Sequence, residues 1–280
     1  MATLYLVATP IGNLEDITLR ALRVLREVSL VAAEDTRTAR KLLAHFGIRQ
    51  RIVSYNEHNM RRRTPQILAA LAAADVALVS EAGMPGISDP GHELVVAVAR
   101  AGYPVVPVPG PSAVTAALAV SGLPTRQFTF VGFLPRRAGE QRRLLAFLAE
   151  ESRTIVAFES PHRLRRTLAD MLAAWGDRRI AVCRELTKAF EEVFRGRLSE
   201  ALERFREPRG EFTLVIEGGQ PAPAPPSEEA VREELRRLKA QGVPTRQAVH
   251  QVARSLGLPR REVYRLWVET QSARLGDASK

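Results

Sequence analysis

Short apolar runs alternate with amphipathic stretches along most of the chain. Leu4 to Ala8 is almost continuously apolar, as are Leu30 to Ala33, Val76 to Val79 and Val105 to Val108. Runs this short and this uniformly apolar predict strands of a sheet covered on both faces. Between them apolar residues recur every three or four positions, at Leu19, Leu22, Leu25 and Val28, at Ala39, Leu42, Leu43 and Phe46, and at Leu94, Ala97, Val98 and Ala101. That period predicts helices, with Asp16 and Asp35 as caps, Gly47 and Gly102 as stops, and another helix over about Pro65 to Ala73. Pro111 suits the first turn of a helix over the small, apolar segment Ala113 to Val120. Regular alternation of strand and helix predicts an open parallel sheet with crossovers over residues 1–120.

The pattern changes after Gly122 and Pro124. Phe128 to Phe133, Thr154 to Phe158, Ile180 to Cys183, Phe190 to Phe194 and Phe212 to Ile216 are more aromatic and more alternating, which predicts a mixed sheet over residues 121–219. Helical patterns fall at Glu140 to Ala149, His162 to Ala173 and Ser199 to Phe205, the last with Ser199 as cap. Gly218 to Pro226 is rich in glycine and proline and reads as a linker. Three helical patterns follow within residues 220–280, and the last two, joined by Leu256 to Pro259, resemble a helix-turn-helix. Arg246, Arg260, Arg261 and Arg265 make RNA or DNA contact one reading of this mildly basic appendage, and a packing or dimer module the other. The fold class is thus α/β: two α/β domains with a cleft between them and a small C-terminal helical domain.

Composition narrows the function classes. The chain has 280 residues, 45% hydrophobic and 26% charged, which describes a globular protein. Its formal net charge of +10 is carried mostly by arginine, so nucleic acid is a natural partner. The single cysteine, Cys183, excludes an intrachain disulfide and a thiolate metal cluster, and its apolar surroundings predict core packing. The N-terminus lacks the features of a signal peptide, and no stretch approaches the about eighteen apolar residues of a membrane span. A cytoplasmic, reduced protein without membrane contact is the expectation.

The chemistry concentrates in loops at strand ends. The richest is Ser80 to Gly91, SEAGMPGISDPG, which leaves the Val76 to Val79 strand through glycines, prolines, acids and serines. Such a loop suits a binding surface. Thr9 to Asn13 and Pro107 to Ala113 are similar in kind. Together they suit a flat, partly charged cofactor held by backbone groups, with Glu81 or Asp89 available to an ammonium, sulfonium or ribose; S-adenosylmethionine fits, because methyl transfer asks chiefly for orientation. Glu34 and Asp35 stand at the end of the second strand, where an open parallel sheet places its chemistry, although Asp35 also suits a helix cap. In Ser54 to Asn59, Tyr55 and His58 are able to stack on a base and Arg61 to Arg63 to take phosphates; a solvated helix start explains the run equally well. His58 has no second ligand at metal-binding spacing, and no metal is expected.

LYLVATPIGNLEDITLRALRVL at the start, then AAEDTR, SYNEHN, ISDPG, VPVPGPSAVTAAL, GFLP, FESPHRL, RELTK and GEFTLVIEG, follow one another as they do in a known family. Over about residues 3–218 the chain closely resembles the bacterial small-subunit ribosomal RNA 2'-O-ribose cytidine methyltransferases, in the tetrapyrrole-methylase-like group of S-adenosylmethionine-dependent enzymes. The resemblance implies a fold of two tetrapyrrole-methylase-type α/β domains with the cofactor cleft between them. Pro10, Ile11, Gly83, Met84, Pro85, Ile87, Ser112, Ala113 and Phe158 are the implied cofactor contacts. The implied substrate is a cytidine of the decoding centre in 16S ribosomal RNA, met in the assembled 30S subunit, and the implied assembly a homodimer. Glu81 departs from the family pattern, which has aspartate before the Ala-Gly pair, and keeps the charge. A ribose hydroxyl is a weak acid, so Glu34, Asp35, Glu57 and Glu81 are candidates for taking its proton, and Lys188 or Arg184 for holding negative charge. A methylase of small tetrapyrroles and a non-catalytic RNA-binding protein are the competing readings.

Overall fold

The computed structural model describes residues 2–219 and 227–275, the side chains of 270–275 excepted. The chain divides into two compact units, Met1–Gly219 and Gln220–Lys280. The expected linker lies largely outside the described residues.

The first unit contains two sheets. β1 (Leu4–Val7), β2 (Leu30–Ala33), β3 (Ile52–Ser54), β4 (Val76–Val79) and β5 (Val105–Val108) form one, in the order β3-β2-β4-β1-β5. Every pairing in it is parallel. The uniformly apolar strands follow from burial on both faces. Along β4, Ala77 and Val79 pack with Val24, Leu25 and Leu43 on one face, while Val76 and Leu78 pack with Ile67, Leu71, Leu94 and Val98 on the other. The first set comes from α1 (Leu19–Glu27) and α2 (Thr36–His45), the second from α3 (Met60–Leu71) and α4 (Gly91–Arg100).

The second sheet joins β6 (Phe128–Phe133), β7 (Thr154–Glu159), β8 (Arg179–Arg184), β9 (Glu192–Arg197) and β10 (Phe212–Ile216) in the order β6-β7-β10-β8-β9. Only β6 with β7 is parallel, so the sheet is mixed. One face is covered by α6 (Ala138–Leu148), α7 (Pro161–Trp175) and α8 (Leu198–Arg204). The other receives α5 (Ala113–Ser121), whose Val114, Ala117 and Leu118 pack on Ala181, Cys183 and Val215. The helix that follows the first sheet's last strand thus packs on the second sheet. Ile11, from the loop after β1, joins the same cluster.

Several local expectations give way. Thr18, not Asp16, caps α1, its Oγ1 accepting from Ala21 N at 3.1 Å, and Leu19 is 86% exposed. Helix α3 begins at Met60, so Pro65 lies inside it; the Asn56 carbonyl accepts from Met60 N at 2.9 Å and starts the turn. Pro111 precedes Ser112, the residue before α5, and is outside the helix. Arg197, not Ser199, caps α8, and Ser199 is bound instead to Asp177. Phe190 is exposed ahead of β9. Tyr55 is 1% exposed, its hydroxyl 3.2 Å from Thr64 Oγ1, so it is core and not a stacking surface.

The second unit packs α9 (Glu228–Ala240), α10 (Thr245–Ser255) and α11 (Arg260–Leu275) around Leu235, Leu238, Val252, Val263, Leu266 and Trp267. Gly257, at φ +64°, ends α10, and Leu258 N donates to Ala253 O, which produces the helix-turn-helix corner. Among the described residues no helix is long and apolar enough to cross a membrane.

Candidate active site

Strand β1 leads toward α1 and β2 on one side of the sheet, whereas β4 leads through α4 to β5 on the other. An open parallel sheet forms its crevice where connections diverge in this way, at the carboxyl ends of the strands. The two loops leaving β1 and β4 are joined there. Thr9 N donates to Gly83 O at 2.9 Å and Gly83 N to Thr9 O at 3.0 Å, an antiparallel bridge that continues the sheet into the loops. Gly83 has φ +77°, a conformation that glycine adopts without strain.

Asp89 shapes the rest of the β4 loop. Its Oδ1 accepts from Gly86 N at 2.8 Å and Gly91 N at 2.7 Å. A side chain at Gly91 would place its Cβ 2.7 Å from that oxygen. Two further contacts tie the first sheet's loops to the second sheet. Ser88, at φ +62°, reaches Gly132, where a Cβ would stand 2.9 Å from the Ser88 hydroxyl, and Gly132 lies in the irregular register of β6. Asn13 N donates to Thr187 Oγ1 at 3.0 Å beside the turn in which Glu185 and Thr187 both adopt positive φ.

These loops enclose a cavity of about 380 Å³ with the second sheet as its far wall. Ile11, Gly83, Met84, Ile87, Ser112, Ala113 and Phe158 line it; Pro10 and Pro85 are buried nearby without lining it. Phe133 adds an exposed aromatic face, its ring centroid 5.5 Å from that of Phe158, which is itself 5.1 Å from Phe130. Cys183 reaches the cavity wall but is 1% exposed, and burial pushes its thiol up to about 11, so it is an inert packing group.

The acidic residues separate by environment. Glu34 and Glu81 line the cavity and also a shallower recess beside it, which holds Asp35, Glu57, His58, Ser54 and Asn56. Burial raises the Glu34 carboxyl above its ordinary value. The donated Glu81 N–H, at 3.4 Å, opposes that shift, and the charges of Asp89, Glu81 and Glu57 add to it. Asp35 behaves oppositely. It caps α2 by accepting from Arg37 N at 2.7 Å and pairs with the Arg37 guanidinium, which holds its carboxyl at about 2. Lys188 is bound to Glu185 at 2.9 Å and Glu211 at 3.0 Å and does not line the cavity, although Glu211 does. Arg184 is engaged with the Arg209 carbonyl and Glu192.

Glu159, the last residue of β7 and one residue beyond the strand expected from the sequence, is a cavity residue at 2% exposure. It accepts from Ser160 N at 2.8 Å and Thr167 Oγ1 at 2.6 Å, with Arg163 Nε at 3.7 Å. An acid followed at helical spacing by Arg163 and Thr167 was the available signal. Among the described residues no group of three or more His, Cys, Asp or Glu is arranged to hold a metal ion.

Two sheets facing across a cavity built from Pro and Gly loops define the class. The family described as Tetrapyrrole (Corrin/Porphyrin) Methylases matches residues 3–202. A solved structure of uroporphyrin III C-methyl transferase from Thermus thermophilus shares the fold, with a TM-score of 0.56 and 24% identity over 77% of this chain and 97% of that one. Ribosomal RNA small subunit methyltransferase I of Synechocystis sp. is 50% identical over 277 residues, 97% of this chain and 99% of that protein. The protein of the same name from Thermotoga maritima is 52% identical over 221 residues, 78% of this chain and 99% of its own length. Within the tetrapyrrole methylases, the chain belongs to the ribosomal RNA small subunit methyltransferase I family.

Proposed function

We propose that the protein methylates the ribose 2'-oxygen of a cytidine in 16S ribosomal RNA, with S-adenosylmethionine as donor and Glu34 as the proton acceptor. The observation that carries this is the position of Glu34 in the walls of both the deep cavity and the recess beside it. One space then serves the donor and the other the incoming ribose, with the acceptor between them.

The cavity fits the donor. Its volume lies within the range of small-molecule sites, and apolar and aromatic walls surround a few polar groups. The bridged loops at Thr9 and Gly83 present backbone groups, Phe133 and Phe158 offer aromatic faces, and Glu81 and Asp89 suit a sulfonium or ammonium. When bound, the donor supplies an electrophilic methyl group. Glu34 holds the ribose hydroxyl by hydrogen bonding and receives its proton as the oxygen bonds to carbon. Its raised pKa makes it a better acceptor than Asp35, whose proton affinity the arginine pair has lowered. Glu57 and Glu81 enter through their charge on Glu34. Lys188, through Glu185 and Glu211, holds the turn facing the β1 loop and acts as a positioning residue.

Full-length kinship to ribosomal RNA methylases supports RNA over a small tetrapyrrole as substrate. The family resemblance also implies a homodimer, for which sedimentation of the pure protein is the measurement. Two assays test the main reading. Calorimetric titration with S-adenosylhomocysteine should show binding, and isolated small subunits should gain a 2'-O-methyl cytidine. Glu34→Gln should lower the transfer rate about a hundredfold or more with cofactor affinity retained. Turnover equal to that of the unaltered protein would remove Glu34 from this role.

A further inference from the structure

We propose that a recess on the C-terminal helical unit, between the N-terminal turns of α10 and α11, is an RNA-docking surface that grips the substrate away from the reacting ribose. This rests on the reading of the chain as an enzyme acting on ribosomal RNA.

The arginines of this unit fall into two sets. Arg232 and Arg265 pair with Glu228 and Glu269, Arg236 with Glu229, and Arg237 with Glu234. This face is neutralised internally. Arg246, Arg254, Arg260 and Arg261 are exposed and have no acidic partner among the described residues; of these, Arg246 and Arg260 line one recess with Gln247, His250 and Tyr264. Among the described residues no acid lines that recess. Tyr264 is 55% exposed, so an accessible aromatic ring shares the recess with two guanidinium groups that lack an acidic partner among the described residues. Arginine with an accessible aromatic ring is the combination that binds phosphodiester and stacks an unpaired base.

The apolar inventory argues against a dimer contact as the purpose of this unit. Among the described residues most of its aliphatic side chains and Trp267 are spent on its own three-helix core, and the large apolar side chains left exposed are Tyr264 and Val268. Stable homodimer interfaces are richer in apolar surface than this. The Thermotoga relative is matched over nearly all its length by an alignment as long as the first unit. A surface on the second unit is therefore suited to adding substrate affinity to a reaction whose chemistry lies elsewhere.

The test uses the full chain with isolated small ribosomal subunits and, separately, their extracted RNA. Arg246→Ala with Arg260→Ala should weaken RNA binding about tenfold or more near 0.1 M salt. The slope of log K against log salt should shrink by about 1.5 to 2, the value for two lost phosphate contacts. Tyr264→Ala should weaken it about fivefold or more with little change in slope. S-adenosylhomocysteine affinity should not change, and Arg236→Ala with Arg237→Ala, on the paired face, should leave RNA binding within about twofold. Circular dichroism checks that each variant is folded. Unchanged RNA affinity and slope in the Arg246 and Arg260 variant overturns the proposal, as does equal loss in the control or conversion of a dimer to monomer. If the unaltered protein binds S-adenosylhomocysteine but neither form of the RNA, the ribosomal RNA reading itself has failed.

Discussion

Glu34 sits under opposing influences, and the sign of their sum makes it testable. Its folded-state pKa lies above the ordinary carboxylate value of 4.5 because burial and three neighbouring acids outweigh one long hydrogen bond. A base must be ionised to work, so kcat/KM should fall on the acid side along a limb placed above pH 4.5, and Glu34→Gln should abolish that limb. The same shift costs stability. With the folded pKa above the unfolded one, ionised Glu34 is disfavoured in the native state at neutral pH, and the cost vanishes as pH falls below the unfolded value. Glu34→Gln should therefore keep or raise Tm at pH 7 while turnover collapses; a lower Tm would contradict the account. Asp35 carries the opposite sign. Its stabilising contribution is present above the ordinary value of 3.8 and is lost as pH falls toward about 2. Asp35→Ala should lower Tm at pH 7, with the difference from the unaltered protein shrinking in acid.

At the scale of elements, the fit between the β1 loop and the Glu185 to Lys188 turn leaves no room for a side chain at Gly12. A Cβ there would stand 2.8 Å from both the Leu186 carbonyl and Thr187 Oγ1, and against Lys188 Cγ. The carbonyl is backbone and cannot swing aside. Gly12→Ala should cost about 1 to 3 kcal/mol in denaturant unfolding and weaken S-adenosylhomocysteine binding, whereas Gly139→Ala, with open space around it, should do neither.

The same scale shows what was legible in advance. β2 and β4 lie where uniform apolarity placed them, because burial on both faces leaves that pattern; β5 also lies where expected, but as a partly exposed edge strand. Helix starts were less legible. Pro65 and Pro111 suit first turns by a local rule, yet α3 starts five residues before Pro65, after Asn59, and α5 starts after Ser112, with no side-chain cap bond at either to mark the place. In the site, glycine and proline marked the loops, but Glu159 owes its place to Thr167, 8 residues further on in α7, and the helical spacing of Arg163 and Thr167 after it is a weak signal that many solvated helix faces share.

For the whole molecule, the described residues that line the cavity belong to the first unit, while the second has its own core. S-adenosylhomocysteine at a hundred times its Kd should stabilise the first unit by about 2.7 kcal/mol. Calorimetry should show that gain in the transition of the large unit and none in that of the three-helix unit; an equal shift in both would mean that the two melt together.

Strand order also governs how the protein is made. Among the described residues β1 pairs with β4 and β5, Leu4 lying beside Val76 and Val105, so β1 leaves the ribosome without a hydrogen-bonded neighbour until β4 has been synthesised. β4 must then enter between β1 and β2, and only afterwards can Thr9 meet Gly83 and close the floor of the cavity. A nascent chain stopped before β4 holds β1, β2 and β3, of which β2 and β3 are partners in the finished sheet while β1 has none among them. Its hazard is premature pairing, and the competence to bind a methyl donor arrives only after β4 and its loop, well after the β1 loop has been made.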